Sequence, residues 1–103
     1  STSEIQMHSG SRIKLSENSL VVLTENKKTK EMELVIKKGN FSMSANKREK
    51  LRIKSNYSTR EVFIEPGTQV VFVKTALGTD FLITQGYLKI KDEAGKEIII
   101  SKT

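Results

Sequence analysis

The chain has 103 residues, 36% of them apolar and 29% charged, with 18 Lys and Arg against 12 Asp and Glu for a net charge of +6. That length is one domain's worth, no apolar run approaches the roughly 18 residues needed to cross a bilayer as a helix, and the lack of cysteine excludes disulfides, a thiol nucleophile and thiolate metal sites. The basic excess favours anionic partners, although Lys on the open faces and edges of a small β domain also serves solubility alone.

Taken in chain order, the dominant signal is period two, which sorts side chains onto opposite faces of a strand. The chain opens on Ser1 rather than Met and shows no signal peptide, so Ser1 reads as a processed start or the boundary of an excised piece; residues 1–3 are expected to fray. Ile13 and Leu15 then alternate with Arg12 and Lys14. Leu20 to Leu23 is apolar on both faces and reads as a central, doubly covered strand. Glu25 to Lys30 is a charged connection. Met32, Leu34 and Ile36 alternate with Glu31, Glu33 and Lys37, and Gly39 closes that run. Phe41, Met43 and Ala45 alternate with Ser42 and Ser44, and Asn46 to Lys50 is a second polar connection.

Leu51 and Ile53 alternate with Arg52 and Lys54. Val62 and Ile64 share one face, which turns Phe63 outward. Pro66-Gly67 suits a type II turn, because Pro presets φ and Gly tolerates the positive φ that follows. Val70 to Val73 is a second run apolar on both faces. Gly86, like Gly39, sits beside an apolar run and predicts a bulge or a close backbone approach. Leu88 and Ile90 alternate with Lys89 and Lys91, Glu93 to Lys96 with its Gly95 reads as a hairpin loop, and Ile98 to Ile100 is a third doubly apolar run. Turn signals about every ten residues suit a sandwich, barrel or roll. The prediction is an all-β chain of about ten short strands with no substantial helix, a single domain over residues 1–103.

The residues offer little to bond-making chemistry. His8 is the only histidine, with no second His or Cys to complete a zinc site. It would also have to be the base of any serine triad, and Ser9-Gly10-Ser11 lacks the flanking pattern of a nucleophile elbow. The acidic residues are mostly flanked by Lys, unlike a calcium-binding oxygen cluster. No glycine loop stands at a strand-to-helix turn to cradle phosphate. No catalytic residue, metal or cofactor is assigned. Nucleic acid or an anionic glycan is the alternative partner: outward Arg12, Lys14, Arg52, Lys54, Lys89 and Lys91 are the candidate anion-binding face. Against it, Phe41, Phe72 and Phe81 fall in register with core residues, leaving Phe63, Tyr57 and Tyr87 as the aromatics free to stack.

Read end to end, the pattern resembles the FecR-like domain, the extracytoplasmic part of bacterial iron-signalling sigma-factor regulators. Gly10-Ser11-Arg12-Ile13-Lys14-Leu15-Ser16-Glu17-Asn18-Ser19 is similar to the family opening G-S-R-x-x-L-x-x-N-S. Glu33 to Gly39 resembles its amphipathic strand ending in glycine, and Leu51 to Ser55 its F-x-V-x-T segment. Pro66-Gly67-Thr68-Gln69-Val70-Val71 falls where the family has R-G-T-x-F-x-V, with Pro for the basic residue and Val for the aromatic one. Leu82 to Ile90 resembles the closing V-x-V-x-x-G-x-V-x-V element. Gly10, Asn18, Gly39, Pro66, Gly67, Thr68, Gly86 and Gly95 are read as turn and bulge residues, because local geometry alone accounts for them.

The resemblance implies a rolled sandwich or solenoid-like arrangement, and the lack of a regular repeat argues against a true solenoid. It further implies a periplasmic or cell-surface signalling module with no enzymatic activity. Its partner would be another protein, met by strand-edge pairing, with nucleic acid disfavoured and no membrane insertion by this segment.

Overall fold

The computed structural model describes residues 3–26, 28, 31–54 and 59–102. Among them are eleven strands and no helix: β1 (Ser3–Gln6), β2 (Arg12–Leu15), β3 (Leu20–Asn26), β4 (Glu31–Lys38), β5 (Asn40–Ser44), β6 (Glu49–Lys54), β7 (Thr59–Ile64), β8 (Gln69–Lys74), β9 (Thr79–Gln85), β10 (Tyr87–Lys91) and β11 (Glu97–Ser101). They form two sheets, one of five strands in the order β1-β2-β5-β8-β9 and one of six in the order β11-β10-β7-β6-β4-β3. Neighbours are antiparallel except β4 and β6, which run parallel with β5 crossing between them in the other sheet.

The sheets share one core, and alternation fills it as expected. Ile13, Leu34, Ile36, Phe41, Met43, Ala45, Leu51, Ile53, Val62, Ile64, Val70, Phe72, Ile83, Leu88 and Ile90 are all buried. Three phenylalanines lie in one row across β5, β8 and β9. Phe41 stacks on Phe72 with ring centroids 4.5 Å apart, and Phe81 meets Phe72 edge-on at 5.1 Å. Both geometries suit the aromatic quadrupole, worth about 0.5–1.5 kcal/mol per pair beyond the buried area.

The chain changes sheet after β2, β4, β5, β7 and β9, and two of these passages are built alike. After β2 a turn over Ser16 to Ser19 is closed by the Ser19 N–H donating to Ser16 O at 3.2 Å, with Asn18 at φ +64°. After β7 a turn over Glu65 to Thr68 is closed by the Thr68 N–H donating to Glu65 O at 3.1 Å, with Gly67 at φ +83°. A hairpin in the opposite sheet follows each turn, and the chain then returns through a glycine at positive φ, Gly39 or Gly86.

The hydroxyl that ends each turn grips the returning backbone. Ser19 Oγ donates to Asn40 O at 2.8 Å and accepts from Asn40 N–H at 3.0 Å. Thr68 Oγ1 donates to Tyr87 O at 2.9 Å and accepts from Tyr87 N–H at 3.1 Å. Only a residue without a β-carbon fits beneath either hydroxyl. A β-carbon on Gly39 would lie 2.9 Å from Ser19 Cα, and one on Gly86 would lie 2.7 Å from Thr68 Cα.

These paired corners reveal an internal duplication that the sequence reading did not anticipate. Strands β1 to β5 and β6 to β10 are two copies of one plan: a hairpin, a turn into the opposite sheet, a second hairpin there, and a return strand that pairs with the second strand of the unit. Leu15 faces Phe41 in the β2–β5 pair, as Ile64 faces Leu88 in the β7–β10 pair. The fold is therefore an all-β, two-layer arrangement of two similar units.

Three expectations need correction. Leu20 to Leu23 and Ile98 to Ile100 are not central, doubly covered strands: β3 and β11 are the two edges of the six-stranded sheet. Val70 to Val73 is interior to its sheet, yet Val71 and Val73 on its outer face are only half-buried. A two-layer sandwich has no place for a strand covered on both faces, since each sheet hides one face only. Ser3 opens β1, paired with Leu15.

Candidate interaction surfaces

Among the described residues, the fully buried polar side chains are Ser11 and Thr68, and both are spent on architecture. Thr68 holds Tyr87. Ser11 Oγ donates to Glu49 Oε2 at 2.5 Å and accepts from the Asn46 N–H at 2.9 Å. Ser9 Oγ donates to the same Glu49 oxygen at 2.5 Å. This carboxylate therefore ties the β1–β2 connection to the start of β6, and its acceptor capacity goes to hydroxyls of the turn. His8 is exposed beside it, in a shallow hollow with Met7, Met32, Arg48 and Lys50. No group of three or more His, Cys, Asp or Glu is placed to hold a metal among the described residues.

The six cations of the predicted anion-binding face are divided between the two sheets. Arg12 and Lys14 project from β2 on the five-stranded sheet, beside Ser42, Ser44, Gln69 and Thr84 in a shallow hollow, and Arg12 Nε lies 4.0 Å from Glu4 Oε1. Arg52, Lys89 and Lys91 belong to the six-stranded sheet. Lys54 is also on that sheet, its backbone paired with Val35 and Thr59, and its side chain lies outside the described residues. Arg12 and Lys14 thus share no face with Arg52, Lys89 and Lys91.

The six-stranded sheet also neutralises its own cations. Register places Glu97, Lys91, Glu61, Arg52 and Glu33 in one row across β11, β10, β7, β6 and β4. Charge alternates along that row, as cross-strand pairing favours. Glu61 is its centre: Oε1 lies 3.7 Å from Arg52 Nη2, and Oε2 lies 3.9 Å from Lys50 Nζ. The next row carries Ile99, Lys89, Phe63 and Lys50. Phe63 points outward as expected and is covered by cations, with the Arg48 guanidinium carbon 4.9 Å and Lys50 Nζ 5.6 Å from its ring centre. Arg48 is held in turn by Glu65 at 3.3 Å. Tyr87 is exposed, whereas Ser55 and Tyr57 lie outside the described residues.

The surface that alternation missed is the pair of apolar edges. On β3, Leu20 and Val22 are 57% and 44% exposed; on β11, Ile98 and Ile99 are 49% and 62% exposed, and Ile100 alone of that strand packs onto the core. Such edges present unpaired backbone groups, which small β domains usually guard with charge. The legible signal was the loss of alternation itself, read as burial when it marked an exposed edge.

No helix among the described residues is long and apolar enough to cross a membrane. No curated protein matches the chain. The sequence model of the family described as FecR protein matches residues 1–89, which take in β1 through β9 and the start of β10 and leave β11 beyond the match. With the family model covering the greater part of the chain, the chain belongs to the FecR protein family and is a signalling-related regulator domain.

Proposed function

We propose that this chain is one extracytoplasmic domain, in the periplasm or at the cell surface of a bacterium, that relays a signal by binding another protein and performs no catalysis. The observation that carries the reading is the pair of bare apolar edges on the six-stranded sheet. A partner strand laid on either edge gains a ladder of main-chain hydrogen bonds and covers isoleucine, leucine or valine. Membership of a regulator family supports the same reading. The anionic-partner alternative gains nothing from the geometry, because the cations are split between two faces and interleaved with carboxylates.

Titration calorimetry against the signalling domain of an iron transporter tests the proposal. Saturable heat is expected, and Val22→Lys on β3 or Ile99→Lys on β11 should weaken it at least tenfold. Absence of heat with every such domain, or binding indifferent to both edges, counts against it.

A further inference from the structure

Strand β11 sits against β10 as β8 sits against β5. Both pairs are antiparallel, and the internal duplication equates Tyr87 with Asn40 and Leu88 with Phe41. Ile100 opposite Leu88 then takes the place of Phe72 opposite Phe41. Ile98 opposite Ile90 takes that of Val70 opposite Met43, and Ile99 opposite Lys89 takes that of Val71 opposite Ser42. The two strands differ on their far sides. β8 is covered there by β9, with Val70 facing Ile83, Val71 facing Leu82 and Phe72 facing Phe81. β11 ends its sheet, and Ile98 and Ile99 are left about half or more exposed.

We propose that a second copy of this chain occupies that edge, through antiparallel pairing of β11 with β11 about a two-fold axis at Ile99. This rests on the reading of the bare edges as interaction surfaces and names the edge and its occupant. The duplicated plan calls for an antiparallel strand with apolar residues at three successive positions, as β9 supplies to β8. The run Glu97-Ile98-Ile99-Ile100-Ser101 meets that requirement against itself. Ile99 faces its own copy on the outer surface, Ile98 faces Ile100 of the second copy on the core side, and Glu97 faces a serine. The pattern reads the same in both directions, as an isologous contact requires. The two six-stranded sheets then run on as one.

The contact is small. Five paired residues a side bury less than the roughly 1,600 Å² of a standard interface, so association belongs in the micromolar range or weaker. Lys96 and Lys102 oppose each other at both ends of the pairing, and each copy carries a net charge of +6. Salt screens this repulsion, so the dimer tightens as ionic strength rises.

Sedimentation equilibrium from about 1 μM to about 1 mM spans that range. The expected result is a mass rising from 11.6 kDa towards twice that value, more steeply at high salt. Ile99→Lys, which sets two lysines face to face, should raise the dissociation constant at least tenfold, and Leu20→Lys on the opposite edge should leave it unchanged. Hydrogen exchange on the wild-type chain supplies a second readout free of folding effects: amides of β11 gain protection with concentration and those of β3 do not. A chain monomeric throughout, a dimer indifferent to Ile99→Lys, or concentration-dependent protection away from β11 overturns the inference. A monomer that still binds a transporter domain through a strand edge overturns the dimer alone and leaves the proposed function standing.

Discussion

Thr68 Oγ1 closes both backbone hydrogen-bonding groups of Tyr87, donating to its carbonyl at 2.9 Å and accepting from its N–H at 3.1 Å. Thr68 is fully buried, so no water replaces it if the hydroxyl is removed. This side chain and the Glu65 N–H, which donates to the same carbonyl at 3.4 Å, together hold the corner between the five-stranded and six-stranded sheets, and Ser19 and the Ser16 N–H repeat the arrangement at Asn40.

Thr68→Val keeps the shape and deletes the hydroxyl. The Tyr87 N–H then loses the hydroxyl, at a cost of about 1–3 kcal/mol when left unsatisfied, while Tyr87 O keeps the Glu65 N–H at 3.4 Å. Urea unfolding should show a loss of about 1–3 kcal/mol for Thr68→Val. Thr68→Ser should lose less, because the hydroxyl survives. Ser19→Ala, at a half-buried position, should cost about 1–2 kcal/mol.

The glycines separate into two energetic classes. Gly86 sits at φ +81° with the Thr68 backbone directly above it, and Gly67 sits at φ +83° with nothing within 4 Å of its would-be β-carbon. Gly67→Ala should cost only the left-handed backbone penalty of about 1–2 kcal/mol. Gly86→Ala adds a backbone collision and should exceed it by a further ~1–3 kcal/mol, or abolish folding. Thermal melts of the two variants side by side check the difference.

Phe72 touches both other core phenylalanines. Phe72→Ala removes one stacked and one edge-on contact and opens a cavity between the sheets. Chemical denaturation should report a loss of about 3–5 kcal/mol. Phe63→Ala, on the outer face under Arg48 and Lys50, should lose only about 1–2 kcal/mol, because its cation–π contacts face solvent.

Glu61 balances the outer face of the six-stranded sheet. Glu61→Gln removes the carboxylate shared by Lys50 and Arg52. These side chains are about a third exposed or more, so stability should fall by less than ~1 kcal/mol. Heparin chromatography is the sharper readout. The wild-type chain should elute at low salt and the variant at distinctly higher salt, since unmasked cations release more counterions. Early elution of both would remove any cryptic anion-binding role for this face.

Much of the core was legible in the sequence because burial in a strand has period two. Met43, Leu51, Val62 and Ile90 are buried and Arg12 and Lys14 exposed, each as alternation assigns them. The turn at Pro66-Gly67 and the close approach at Gly39 and Gly86 were legible for a similar reason, since few residue types tolerate those backbone angles. The duplication was legible only in hindsight. Its traces are two short elements, Asn18-Ser19 and Gly67-Thr68, and two returns, Gly39-Asn40-Phe41 and Gly86-Tyr87-Leu88, too brief to stand out from ordinary turn chemistry.

Which face of each alternating strand is wet was determined by the sequence alone, because it depends on neighbours two residues away. Which sheet a strand joins, and whether it lies at the centre or the edge, was decided only in three dimensions. Arg12 and Lys89 carry the same local signature, yet they lie on opposite sides of the sandwich. Ile98 to Ile100 has the composition of a central strand and closes the edge. A strand's hydrogen-bond partners are set by chain segments far away in sequence, and the cost of bringing those segments together leaves no mark on the residues of either one.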